Sequence, residues 1–205
     1  MSDGRAATMI EVAFAVQGDA LPRDHRFALA EALERALPWL AGIPAAGVHG
    51  LNLVGGGGGG EGLLSRRTRL RLRVPRERAD AACALAGAEL AVAGRRLEVG
   101  PAQRRELVQH RTLYAHIVAA GAGDELAFMR SVQDELAGLG VRCRPICGLR
   151  QLLESGRLAG FSLMLDALAP DHSLTVLEAG VGAHRRLGCG LFVGHKSAAA
   201  VGEPS

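Results

Sequence analysis

Twice along this chain the spacing of apolar residues switches from a period of two to a helical period and back, in the same order. Residues 9–16, MIEVAFAV, put Ile10, Val12, Phe14 and Val16 on one face, as a half-buried strand does. LPRDHRFALAEALERALPWL then lines Phe27, Ala30, Leu33 and Leu37 along one helical face, with Asp24 as cap and Pro38 as stop. GVHGLNLV reads as a short second strand. A run of glycines from 55 to 60 forms a flexible loop, after which SRRTRLRLRV resumes the alternation. PRERADAACALAG puts Pro75 at a first helical position, and AELAVAGRRLEV is a hairpin turning at Ala93 and Gly94. The order β-α-β-β-α-β is the ferredoxin-like, or RRM-like, unit.

The pattern restarts at LYAHIVAA, residues 113–120, a strand. GDELAFMRSVQDELAGLG is a helix with Leu126, Met129, Val132 and Leu136 on one face, ended at Gly138 or Gly140. VRCRPIC and GLRQLLESGRLAGFSLMLDAL supply two or three strands around a turn at Ser155 and Gly156. PDHSLTVLEAG is a short helix closing on Gly180, and GLFVG is the last strand. The expectation is an α+β chain of two tandem ferredoxin-like domains, residues 1–104 and 105–197, followed by a disordered tail over 198–205. Its 205 residues suffice for two small domains, and its 48% apolar content suffices for their cores.

The charge is placed rather than abundant. Net charge is +3, and Lys196 is the one lysine among 24 basic residues. Arginine forms planar, bidentate contacts to phosphate. In RRTRLRLRV, Thr68, Leu70, Leu72 and Val74 face one way, and Arg67, Arg69, Arg71 and Arg73 the other. Such a row can simply protect a sheet edge. With no acid inside it, however, it repels itself unless an anion neutralises it, which favours contact with a nucleic-acid backbone. A second basic region, EAGVGAHRRLGCGLFVGHKS at 178–197, holds Arg185, Arg186 and Lys196 with no acid between Ala179 and Gly202. Its glycines permit positive φ and bare N–H groups, which can form anion-binding nests.

Two histidines stand apart from the seven. His25 falls in the first turn of helix one, where the helix dipole disfavours protonation and keeps a neutral imidazole. His49 leads into the glycine run just past that helix. Each also has a plain reading as a packed core histidine. His116 is expected to pack within its strand, His110 and His172 to lie in surface loops, and His184 and His195 to sit in the basic loop region. Cys83, Cys143, Cys147 and Cys189 form no CxxC pair, so they are expected to be reduced and to bind no zinc. No leader pattern opens the chain and no apolar run approaches the roughly 20 residues that span a bilayer. The expectation is a cytoplasmic protein without membrane contact. No carboxylate cluster of the kind used by magnesium nucleases is visible, and no metal or other cofactor is expected.

The spacing G-x-G-x-x-R-x-x-G-x-G, formed by Gly180, Gly182, Arg185, Gly188 and Gly190, resembles the C-terminal glycine-rich loop of a known family. That family is the CRISPR-associated repeat-RNA endoribonucleases of the repeat-associated mysterious protein superfamily. LPRDHRFALAEAL, GVHGL and RLRLRVP are similar to its short subtype named after myxobacteria, so the resemblance covers nearly the whole chain. It implies binding of CRISPR repeat RNA, both precursor transcript and mature crRNA, often as a hairpin. It also implies one metal-independent cut per repeat, and retention on the product with other effector-complex subunits. The catalytic histidine of the family often comes from helix one or the segment after it, which here offers His49 and His25. The residues expected to hold RNA are Arg67, Arg69, Arg71, Arg73, Gly180, Gly182, His184, Arg185, Arg186, Gly188, Gly190 and Lys196. A tyrosine partner used by some members has no counterpart near helix one, because the only tyrosine is Tyr114.

The implied chemistry is attack of a ribose 2′-OH on the adjacent phosphate, leaving a 2′,3′-cyclic phosphate and a 5′-OH. It needs a base, an acid and cations for the added charge. The alternative is the same fold as a non-catalytic repeat-RNA-binding subunit. A two-histidine phosphoesterase, marked by two His-x-Ser/Thr motifs, is a further rival: His195-Lys196-Ser197 has that spacing, as does His110-Arg111-Thr112. A generic RNA-binding sheet would need exposed aromatics, which are scarce in a chain with 3% aromatic residues.

Overall fold

The structure is a computed structural model and describes residues 6–55, 60–121 and 124–195. The tail over 198–205, Lys196 and the middle of the glycine run lie outside these residues. The chain divides into two compact units: Thr8–Glu106 with Arg186–Gly188, and one built on Leu107–Arg185 with the chain from Cys189.

The first unit contains β1 (Met9–Gly18), β2 (Leu21–Pro22), α1 (Arg26–Ala36), β3 (Gly47–Val48), β4 (Glu61–Gly62), β5 (Arg69–Pro75), α2 (Ala79–Cys83), β6 (Glu89–Val92) and β7 (Arg95–Arg105). Its main sheet runs β3-β5-β1-β7-β6, so the first strand is central. The even residues of β1 face the core: Ile10, Val12, Phe14 and Val16 pack with Leu29 and Leu33 of α1 and Leu70, Leu72 and Val74 of β5. The odd residues, Glu11 and Ala13 among them, face the other way.

Several local readings need correction. β3 has only two residues, because the Leu51 amide is taken by the His25 ring rather than by a neighbouring strand. The strand expected from Ser65 starts at Arg69, because Ser65–Thr68 is a turn. There Thr68 Oγ1 accepts from Ser65 N at 2.9 Å and donates to Asn52 O at 3.0 Å. Pro75 does not open a helix. It ends β5 in extended conformation, a single 3₁₀ turn follows at Arg76–Arg78, and α2 keeps only five residues. The residue at the α1 N-cap is His25, with Asp24 one position outside.

The second unit contains β8 (Leu113–Ala119), α3 (Glu125–Gly138), β9 (Arg144–Leu153), β10 (Leu158–Asp166), α4 (Pro170–Ala179) and β11 (Phe192–Gly194). Its sheet runs β11-β8-β10-β9. In both units the first strand lies between the fourth and third, with the second outermost beyond the third. The chain is therefore an α+β tandem of ferredoxin-like units. On α3 the buried face is Phe128, Val132 and Leu136, while Leu126, placed on that face from the sequence, is exposed. Gly140 closes the helix at φ +67° and Gly180 closes α4 at φ +65°. His116 is exposed rather than packed, because Leu113 and Ala115 hold the core side of β8. His172 lies half-buried in α4 rather than in a loop. No helix among the described residues is long and apolar enough to cross a membrane.

Candidate active site

The cross-strand register of the first sheet places an acid inside the arginine row. Glu11 of β1 stands opposite Arg73 of β5, and Ala13 opposite Arg71. Directly paired residues share a face, so Glu11, Arg71 and Arg73 project from the side away from the core. His49 follows β3, whose Val48 pairs with Leu72, and its amide donates to Arg71 O at 3.0 Å. The imidazole therefore lands on the same side.

There it meets the carboxylate. His49 Nε2 lies 3.3 Å from Glu11 Oε2, Arg73 Nη2 lies 3.4 Å from the same oxygen, and Arg71 Nη1 lies 3.8 Å from Oε1. His49 Nε2 is sealed from solvent and sits outside hydrogen-bond alignment, so its contact with Glu11 is an electrostatic one. His49 is 7% exposed and Arg73 2%. Burial pushes the Glu11 carboxyl up, but His49, Arg71 and Arg73 together outweigh it and hold the group at about 2. Burial drives His49 down to about 4; Glu11 opposes this only in part and the two arginines add to it. At neutral pH the carboxylate is ionised and the ring neutral. The neutral tautomer with its proton on Nε2, facing Glu11, has its lone pair on Nδ1. The four groups together carry one net positive charge.

The sequence missed Glu11, although it was legible as the one acid in an apolar strand, MIEVAFAV. Arg73 is corrected as a member of an exposed row: it is buried, and its anion is Glu11. Arg69 turns back on its own backbone, donating from Nη1 to Arg66 O and Thr68 O, both at 2.8 Å. Arg67 is exposed and precedes the strand.

His25 is brought near this cluster in sequence but not in role. Nδ1 lies 3.0 Å from Pro22 O, and Nε2 accepts from Leu51 N at 3.1 Å. Both ring nitrogens are thus committed to backbone, with the proton on Nδ1. Burial, the largest cause, lowers its pKa and keeps it neutral. The expectation of a second free acid or base here is corrected: His25 staples the start of α1 to the segment just after His49.

The glycine-rich loop contributes to the same unit through Arg186–Gly188. Arg26 Nη1 donates to Leu187 O at 2.7 Å, and Arg186 pairs with Glu34. Gly188 has φ +79°, and a Cβ there would meet the Arg26 guanidinium and stand 3.1 Å from Gly50 N and Val48 O. The loop thus reaches the backbone on either side of His49 only because residue 188 has no side chain.

In the second unit the bare-amide nest read from the sequence is not formed. Gly180 N donates to Val176 O, Gly190 N to Ile117 O, and Gly182 N to both Glu135 oxygens at 2.8 and 3.0 Å. These glycines serve tight turns and close approach instead. Arg185 is half-buried against Gly180 with Nη1 lacking a hydrogen bond, and burial lowers its pKa. His184 is exposed at φ +63°. Among the described residues no group of three or more His, Cys, Asp or Glu could hold a metal ion.

The family model described as Cas6 Crispr matches residues 10–197. A protein of Myxococcus xanthus, CRISPR-associated endonuclease Cas6, is 36% identical over 193 residues, covering 93% of this chain and 83% of that protein. A solved CRISPR associated protein Cas6 superposes with a TM-score of 0.65 at 11% identity, over 92% of this chain and 100% of its own. A Cas6-related protein of Pyrococcus furiosus gives 0.55 at 12%, over 90% and 98%. The likeness to solved structures shows the shared fold, and the matches to the family model and the myxobacterial protein show the descent: this chain belongs to the Cas6 family of CRISPR-associated endonucleases.

Proposed function

We propose that the protein cleaves precursor CRISPR RNA within its repeats, without a metal, and stays on the mature product as an effector-complex subunit. The observation that carries this reading is the buried His49–Glu11 pair, backed by two arginines and flanked by the glycine-rich loop. A carboxylate that orients a histidine is the general design of an activated base. The Glu11 charge beside Nε2 favours the tautomer with its proton there, and His49 Nδ1 takes the proton of the attacking 2′-OH. The oxygen then attacks the adjacent phosphorus in line, forming the 2′,3′-cyclic phosphate as the 5′-oxygen departs and takes a proton from water. Arg71, the more exposed of the two arginines, faces the phosphate, and the net positive cluster stabilises the charge added in the transition state. Arg73 positions Glu11 and does not reach RNA. Arg67, Arg69, Arg185, Arg186, His184 and Lys196 hold the RNA backbone, and the reaction takes place in the cytoplasm.

The near-complete burial of His49 also favours a second reading, a repeat-binding subunit that does not cut. One experiment separates the two. Purified protein is mixed in excess with end-labelled repeat RNA and chelator. Cleavage yielding a 5′-OH and a cyclic phosphate supports the first reading, binding without cleavage supports the second, and cleavage that requires magnesium contradicts the proposed chemistry.

A further inference from the structure

The outer face of the second sheet carries rings that the catalytic proposal leaves unused. Register pairs Tyr114 of β8 with Met164 of β10 and with Val193 of β11. Their neighbours Ala115, Leu163 and Phe192 are fully buried in the core, so these three residues face outward. His116, two residues along β8, shares that face and is exposed. His195, just past the end of β11, brings its ring centroid within 5.5 Å of Tyr114, and His116 lies 6.2 Å away on the same tyrosine. The planes are tilted by 47° for His195 and 54° for His116. The result is a row of three rings with Tyr114, half-buried, at its centre.

From this geometry we infer that the outer face of β11-β8-β10 stacks unpaired RNA bases, with Tyr114, His116 and His195 as the contacts. The inference rests on the reading that the chain binds repeat RNA. Three features favour bases over other occupants. The outward residues Tyr114, His116, Ser162, Met164, Val193 and His195 are neither carboxylates nor guanidinium groups, and Asp166, at the end of β10 on the same face, is neutralised by Arg144 at 2.6 Å and accepts from Thr112 at 2.8 Å, so the face suits the uncharged part of a nucleotide. Its largest groups are rings, which stack on any base without reading sequence. His195 also follows directly on β11, the strand just after Gly190, so the platform continues from the glycine-rich loop proposed to hold the RNA backbone. The sequence hid the site, because positions 114, 116 and 195 meet only when β11 pairs beside β8.

The test uses full-length protein, repeat RNA with its single-stranded flanks, and the same repeat trimmed of them. His116→Ala and His195→Ala are surface changes, and Tyr114→Phe keeps the ring. Affinity is read by fluorescence anisotropy and folding by thermal denaturation. The double variant His116→Ala/His195→Ala is expected to bind flanked RNA about tenfold or more weakly, as loss of base stacking does. It should bind trimmed RNA as wild type does, and Tyr114→Phe should bind both normally. Photocrosslinking of 4-thiouridine placed in a flank should map to these rings. Wild-type affinity of the double variant for the flanked RNA overturns the inference. So does equal weakening for both, which would make the rings structural, or loss of copurifying protein subunits with RNA affinity intact, which would make the face a protein interface. If the wild-type chain binds neither RNA, the proposed function itself fails.

Discussion

Glu11 and His49, 38 positions apart in sequence, meet across 3.3 Å in the first sheet, where burial keeps the ring neutral against the pull of the carboxylate. Both folded pKa values lie below those of the unfolded chain, so between the paired values the unfolded chain binds more protons and stability rises with pH. The His49 share is fully present above about 6.5 and is lost as pH falls toward about 4. The Glu11 share is present above about 4.5 and is lost toward about 2. Urea unfolding at several pH values should show wild type losing stability more steeply than His49→Ala between pH 6.5 and 4. Parallel curves would place the titration elsewhere.

Removing the acid should be worse than removing the base. Glu11→Gln leaves Arg73 buried without its counter-ion, at a cost of about 3–5 kcal/mol. A melting temperature equal to wild type would mean that the buried arginine does not depend on this carboxylate.

His25→Ala should act on stability. It strands Leu51 N–H and Pro22 C=O, at about 1–3 kcal/mol for each buried group. Cleavage, measured where the variant is still folded, should slow less than for His49→Ala. An unaltered melting temperature with cleavage lost would return His25 to the chemistry.

The two arginines of β5 should separate cleanly. Arg71→Ala is expected to weaken repeat binding and flatten its log–log salt dependence by about one unit, with little change in stability. Arg73→Ala should instead unfold at lower temperature. Identical salt slopes for wild type and Arg71→Ala would remove Arg71 from the phosphate contact.

The larger elements were legible because alternation is local. β1, β5, the hairpin at Ala93–Gly94, and α3 with its glycine stop all follow from apolar spacing and turn residues. What escaped is what register decides. Arg73 reads as one of four equivalent arginines until Glu11 is placed opposite it. His25 reads as a catalytic residue until Leu51 N–H is seen on its ring. Leu126 fits the helical stripe as well as Phe128 does, and only packing chooses between them. The glycine-rich loop was legible as a motif, but its amides proved to be spent inside the fold on Glu135, Val176 and Ile117.

The role of His49 is tested most directly by single-turnover cleavage of repeat RNA in excess chelator, comparing His49→Ala with wild type at matched RNA saturation. A positioned general base typically contributes about 10²- to 10⁴-fold. The variant should cut slower by a factor in that range, with repeat affinity nearly unchanged. Cleavage by His49→Ala at the wild-type rate would contradict the assignment and leave the Glu11–His49 pair a structural feature of the sheet.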